Sequence, residues 1–465
     1  MKWKINKWKK GFMKQYMGGL IILSLSGTMV VAQTHPLEEY IKEGLQSNLG
    51  LKQKQLDYSS NLSVLKEARG LFLPDLSLNA RYTVAAGGRT IDFPVGDLLN
   101  PVYSTLNTLT ASESFPQIEN QTFPFLRPTE QETKVTLIQP IFSTEILQNY
   151  KIRKQYTEIA RIDVDRYKRE LIREITKAYY EHQKASNLVW LADTTLALVA
   201  ENLRVSQRLF ENDKVTVDAV YRSESELSKV EVQRAQTNNL FEASLSYFNF
   251  LLNRSLDTPV ELQTQIPAPL IINLDEASLL AIQNRDELLQ IEQYQQLNDH
   301  VTELHRGKNI PGLYGVVDYG FQGTQYSFTN EDDFAMASLV MKWNLFQGST
   351  NREKVKQAKI DGEKLDEIYS ETQQQIKLEV INYYYALQTA FESVQSAQKQ
   401  TRSAVRAYEL INKKYREGQS SLLELLDARS SLTGAAANSI IAQSDYFSSL
   451  ADFEYAMGAA AIETF

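Results

Sequence analysis

The chain has 465 residues, 43% hydrophobic and 23% charged, which is enough apolar material for a folded core and excludes a disordered polymer. With a formal charge of −8, from 57 acidic against 49 basic residues, it is a poor partner for nucleic acid. It contains no cysteine, so neither disulfides nor lipidation at a cysteine hold or anchor it.

Residues 1–32 hold six lysines and then the apolar run "GGLIILSLSGTMVVA", ending in the small-residue pattern Val30-Val31-Ala32. This is the make-up of a secretory signal peptide, with Met13 as an alternative start. An uncleaved anchor is the competing reading, and its apolar run is short for a spanning helix. Without these residues the exported part keeps 43 basic against 57 acidic side chains, a net charge of about −14. No later stretch approaches the roughly 18 apolar residues of a spanning helix, so entry into a membrane requires strands.

A first unit, residues 33–253, opens with a helical segment and reaches "LPDLSLNARYTV" at Leu73 to Val84. Here Leu76, Leu78, Ala80, Tyr82 and Val84 alternate with Ser77, Asn79, Arg81 and Thr83, which predicts a strand over about 74–86 with one apolar and one wet face. The stretch Ala85 to Thr133 is rich in breakers yet apolar, with "IDFPVGDLLNPVY" and "FPQIENQTFPFL", and reads as an ordered external cap or, more boldly, a phage or receptor site. A return strand follows at about 134–142, "KVTLIQPIF". No glycine occurs between Gly96 and Gly307 and no proline between Pro140 and Pro259, and Tyr156, Ala160, Val164, Tyr167, Leu171, Ile175 and Ala178 recur at steps of three and four. This predicts a helix over about 144–210, on the order of 100 Å long, and a returning helix after it.

Residues 254–273 read as a linker, and 274–465 as a second copy of the same unit. A shift of 237 superposes Leu37/Leu274, Arg69/Arg306, Gly70/Gly307, Pro74/Pro311 and Tyr82/Tyr319; a shift of 205 superposes Tyr179-Tyr180 on Tyr384-Tyr385, Gln183 on Gln388 and Phe248 on Phe453. Strands are expected at about 311–322 and 334–346 and a long helix at about 350–416. The fold class is mainly α with a small β part, a duplicated helix, strand, strand, long helix, helix unit. Four strands are too few to close a barrel in lipid, since about eight is the smallest that encloses side chains, so the barrel has to be shared between chains. Two soluble hairpins on a helical body are the other reading of the strands.

Leu73-Pro74-Asp75-Leu76 and Ile310-Pro311-Gly312-Leu313, the strand ends "QPIF" and "WNLF", and "KYREGQSSLLELLDARSSL" from Lys414 to Leu432 together resemble the TolC-type outer-membrane efflux ducts over nearly the whole exported chain. The resemblance implies a homotrimer with a twelve-stranded outer-membrane β-barrel continued by a helical barrel across the periplasm. Its implied partners are outer-membrane lipid, a periplasmic adaptor and an inner-membrane pump, in tripartite efflux or type I secretion.

Gly418 and Ser421 mark the turn after the second long helix, with Glu424 and Asp427 three apart on one helical face. In the resembling family the two acidic positions face the pore, which implies a carboxylate ring that attracts cations and obstructs anions. A solvated helix face is the plainer reading of this pair. Tyr415 matches a family position that ties neighbouring helices shut. Two departures bear on that closure: Ser420 stands where an arginine is found, and Asp213 where glycine is usual, with Thr216 and Asp218 as substitute partners. No catalytic, cofactor or metal motif is found; His300 and His305 lie off the i, i+4 metal spacing, and His182 is isolated. The expected function is a passive export duct gated at its tip, against an exported adhesin or periplasmic scaffold without a pore.

Overall fold

A computed structural model describes residues 36–269 and 272–459; the signal peptide expected over 1–32 lies outside the described residues. The chain order is α1 (Pro36–Ser47), α2 (Leu49–Gly70), β1 (Asp75–Val84), β2 (Thr90–Phe93), α3 (Val95–Thr110), β3 (Gln121–Pro124), β4 (Thr129–Phe142), α4 (Thr144–Glu211) and α5 (Val217–Leu251). It continues with α6 (Leu274–Asn284), α7 (Asp286–Gly307), β5 (Gly312–Gly323), β6 (Asp333–Lys342), α8 (Thr350–Arg416) and α9 (Leu422–Ala456). The chain is therefore mainly helical with a small strand part.

The two longest helices carry 68 and 67 residues. No proline interrupts either one, and Ser143 caps the first by accepting from the Ile146 amide. At 1.5 Å per residue each runs about 100 Å. Such a length is held by neighbours rather than by propensity. α4 packs on α5, α2 and α7, and α8 on α9 and α7. The main core lies at mid-height, where Ile175, Tyr179, Phe248, Leu252, Val380, Leu387 and Phe453 are buried together with Ala277 and Ala281 of α6.

Four strands form one antiparallel sheet in the order β1-β4-β5-β6. β4 and β5 pair in its centre, Val135 opposite Tyr319 and Thr136 opposite Asp318. Among the described residues β1 and β6 each keep one unpaired edge, so the sheet is open. The register puts Leu76, Leu137, Val317 and Ala337 in one row and Leu78, Val135, Tyr319 and Ala335 in the next, all on one face. That face is bare: Leu76, Leu78 and Leu339 are about 70% exposed. The opposite face carries the ion pairs of Glu132 with Arg81 (3.2 Å) and Lys134 (3.1 Å), and a hydrogen bond donated by Thr136 to Asp318 at 2.6 Å. Aromatic rings rim the apolar face at both ends. Tyr82 stacks on Tyr326 and Phe321 meets Phe328 edge-on at one end, while exposed Trp343 and Phe346 lie at the other.

Two strand limits differ from expectation. β4 begins at Thr129, because its charged residues Glu130 and Glu132 continue the ladder opposite Thr83 and Arg81. β6 ends at Lys342, opposite Gly312; the next partner is Pro311, which has no N–H to extend the ladder. Trp343 instead donates its indole N–H to the Asn309 carbonyl at 3.0 Å. The stretch expected as a cap holds the β2–β3 hairpin and α3.

Candidate functional site at the helical turns

Far from the sheet, each long helix reverses through a short turn. After α4, Asp213 takes a left-handed backbone with φ of 54°; after α8, Gly418 takes the same shape at 73°. Both turns have the same hydrogen bonds. Asp213 N–H reaches Phe210 O at 3.0 Å and Lys214 N–H reaches Leu209 O at 2.8 Å; Gly418 N–H reaches Tyr415 O at 3.0 Å and Gln419 N–H reaches Lys414 O at 2.9 Å. These are paired Schellman closures, whose left-handed residue favours glycine. Asp213 adopts that conformation although it carries a Cβ.

The returning helices start differently. Ser421 caps α9 in a full capping box: its hydroxyl accepts from the Glu424 amide at 3.2 Å and the Glu424 carboxylate accepts from the Ser421 amide at 3.2 Å. The Ser420 hydroxyl also donates to Glu424, and these donors hold its carboxyl below the usual glutamate range. Thr216 precedes α5 without a cap bond to the helix; its hydroxyl donates to Asp218, which also meets Arg222 at 3.6 Å across exposed solvent. Asp427 is exposed one turn beyond Glu424. Glu424 and Asp427 near one turn and Asp218 near the other are all exposed.

Tyr415 is different: it is only 1% exposed and faces inward. Its hydroxyl lies 2.8 Å from Ser206 Oγ, which lies 3.1 Å from Ser223 Oγ. One buried hydroxyl cluster therefore joins α8, α4 and α5. Tyr408, Leu422, Leu425 and Leu432 pack around it.

Sequence reasoning missed the second buried contact at this end. Arg429, 5% exposed, pairs with Glu226 of α5. Arg416 lies 3.7 Å from Glu201, itself bound to Arg204 at 2.7 Å. The signal was available: Leu422, Leu425, Arg429 and Leu432 share one helical stripe, and an arginine on an apolar stripe needs a buried partner. Asn202 and Ser206 mark the buried side of α4 in the same way, three and seven positions after Val199.

Among the described residues no helix is long and apolar enough to cross a membrane. The bare, aromatic-rimmed sheet face is the surface that fits lipid. The model of a family described as "Outer membrane efflux protein" matches residues 278–459. The "Outer membrane protein TolC" of Salmonella enteritidis is 20% identical, over 96% of this chain and 86% of its own length. The second unit thus matches the outer-membrane efflux protein family, and the chain as a whole is similar to TolC. Its fold matches the Campylobacter jejuni CmeC outer membrane channel with a TM-score of 0.75 at 15% identity, over 95% of this chain and 94% of that one. It also matches the open state of the Neisseria gonorrhoeae MtrE outer membrane channel, with a TM-score of 0.71 at 18% identity over 91% and 89%. Both of these solved structures are described as outer membrane channels.

Proposed function

We propose that this TolC-type chain is the passive duct of a tripartite efflux or type I secretion assembly. Cargo passes from periplasm to exterior without chemistry, through a homotrimer whose twelve strands close one barrel. It works with a periplasmic adaptor and an inner-membrane pump, and residues 1–32 direct its export. The open sheet carries this reading: its bare apolar face suits lipid, while its two unpaired edges are untenable there in one copy and are satisfied when neighbouring copies pair edge to edge. The same apolar face counts against a scaffold free in the periplasm.

The two units support the same arrangement in the helices. Tyr180 of α4 is buried and stacks on Phe447 of α9 at 4.3 Å, so the second returning helix covers the first long helix. Tyr385, 205 positions later on α8, is 54% exposed beside a groove lined by Thr389, Ser393, Asn438 and Ile441. In a closed ring the next copy brings its α5 there, presenting the exposed Val232, Leu240 and Phe250. Units then alternate around the ring, each long helix covered by the returning helix of the other kind.

At the periplasmic end Glu424 and Asp427 of each copy ring the constriction, with Asp218 beside them. Crowded carboxylates attract cations and repel anions. The Tyr415–Ser206 bond and the Arg429–Glu226 pair hold the helices shut, and opening swings α5 and α9 outward from the turns at Asp213–Thr216 and Gly418–Ser421. Planar-bilayer recordings test the ring: Glu424→Ala combined with Asp427→Ala is expected to weaken cation preference, and unchanged selectivity removes the ring from the mechanism. Heat-modifiable trimers with stepwise conductance are expected of the purified protein, whereas a monomer soluble without detergent would favour the scaffold.

A further inference from the structure

The segment 85–128, between the outer ends of β1 and β4, is packed with its polarity reversed. Asp97, Asn100, Ser104 and Asn107 form one stripe of α3, and the chain returning from that helix binds it. Asn100 gives Nδ2–H to Ile118 O (2.9 Å) and accepts Ile118 N–H (2.8 Å); Asn107 does the same with Phe115 (2.8 and 3.0 Å). Gln117 donates to Ser104 Oγ at 3.1 Å, and Asn120 to Asp97 at 3.0 Å. Gly96 permits this approach, because a Cβ there would stand 2.3 Å from Ile118 O. The polar stripe is thus used up inside the segment. The opposite stripe stands bare: Leu98 is 65%, Val102 51% and Leu109 77% exposed. A water-facing helix has the reverse pattern.

The hairpin repeats the inversion. Ile91 pairs with Phe123 and Phe93 with Gln121, and Arg89 lies 3.7 Å over the Phe125 ring, all on one face. Ile91, Phe93, Phe123 and Phe125 are each about half exposed, while the Thr122–Asp92 hydrogen bond of 2.9 Å occupies the other face. A lone two-stranded hairpin is marginal in water. Something must cover these faces.

We propose that the segment docks on its own counterpart in a neighbouring copy, through the Leu98–Val102–Leu109 stripe and the aromatic hairpin face, and so closes a lid over the outer mouth of the barrel. This rests on the reading that copies close the barrel together. Three observations select a second copy over a lipid surface. The segment springs from β1, whose free edge is where a neighbour must pair, so the lid contact continues that interface. It has four carboxylates, Asp92, Asp97, Glu113 and Glu119, against Arg89 and Arg127 and no lysine, whereas helices lying on membranes use basic residues. Its stripe is uncharged, so self-contact brings no like charges together. The size also fits. α3 is about 24 Å long, and twelve strands about 4.8 Å apart tilted by about 40° close to a diameter of roughly 24 Å.

The chain has no cysteine, so single cysteines report contacts directly. Leu98→Cys and Leu109→Cys are expected to give linked oligomers with a short bismaleimide in purified protein, and Ser104→Cys, on the bonded stripe, is expected to give none. Replacing 88–126 with a short Gly-Ser linker, or introducing Leu98→Asp with Leu109→Asp, is expected to raise single-channel conductance. Light scattering in detergent and a bimane on Leu98→Cys in vesicles with brominated acyl chains separate the alternatives. Assembled copies that do not link at 98 or 109, a bimane quenched by the lipid, or conductance unchanged in both altered proteins each overturn the lid while leaving the shared barrel standing. A monomer by light scattering overturns the barrel reading, and the lid with it.

Discussion

α4 and α8 are similar in sequence and nearly equal in length, yet α4 packs on both returning helices, α5 and α9, and α8 on α9. Around Tyr180 the first long helix is sealed by α9, with Ser444 donating to the Tyr180 carbonyl at 3.2 Å and Lys177 meeting Asp452 at 2.9 Å. Around Tyr385 the second has only a groove. Like sequences in unlike surroundings mark where the proposed neighbouring copy would pack, beside Tyr385. The sharpest way to break this comparison is to truncate both tyrosines. Tyr180→Ala removes a ring 3% exposed and is expected to cost about 3–5 kcal/mol of fold stability. Tyr385→Ala should leave the fold nearly unchanged and loosen the assembly instead. Thermal melting and the oligomer's dissociation in detergent read the two effects separately, and equal losses of fold stability would erase the distinction.

A second contrast lies inside the covered stretch. His182 is buried on α4 with Nδ1 3.0 Å from Ser244 Oγ and its ring against Phe241, and the matching position 205 residues later is the buried Leu387. Burial pushes the His182 imidazole down from 6.5 to about 4. The folded chain therefore keeps it neutral where the unfolded chain takes up a proton. Its contribution is steady above pH 6.5, falls as pH drops towards 4, and totals at most about 3 kcal/mol. His182→Leu, which installs the residue of the other unit, is expected to flatten this part of the stability–pH curve. Melting the natural and substituted proteins at several pH values between 7.5 and 4 checks it; parallel curves would show that this imidazole is not the group responsible.

The elements were legible where one physical rule acted alone. The breaker-free runs give α4 and α8 nearly to the residue, and alternation gives β1 and the two faces of its sheet. Strand limits were less legible, because they depend on a partner: Glu130 and Glu132 look like loop until Thr83 and Arg81 are placed opposite, and Trp343 looks like strand until Pro311 is. At the turns, Gly418 and Ser421 were readable as the reversal of the chain, whereas the capping box that joins Ser421 to Glu424 was spelled out in the sequence and went unread. Tyr415 was singled out only by its match to a family position, and its bond to Ser206 was not legible, since 209 residues separate them and only packing joins them. The α3 segment was legible as apolar and ordered; that its asparagines bind the returning chain and leave its leucines bare depends on three-dimensional pairing that spacing does not reveal.

The smallest expected effect concerns the two turns themselves. They share every backbone hydrogen bond of the Schellman closure and differ in the residue that takes the left-handed conformation, Asp213 in one and Gly418 in the other. An L-residue there pays for its Cβ, less for aspartate than for most, whereas glycine pays in unfolded-chain entropy. Asp213→Gly trades one cost for the other and is expected to stabilise by about 0.5 kcal/mol; Gly418→Ala, which only adds the Cβ, is expected to destabilise by about 1 kcal/mol. If the returning helices hinge at these turns as proposed, the signs carry to the channel. Gly418→Ala strains the closed turn and should raise the fraction of time spent open in single-channel records, while Asp213→Gly should lower it slightly. Opposite shifts tie the turn conformation to closure; shifts of the same sign would mean that the two turns do not act as equivalent hinges.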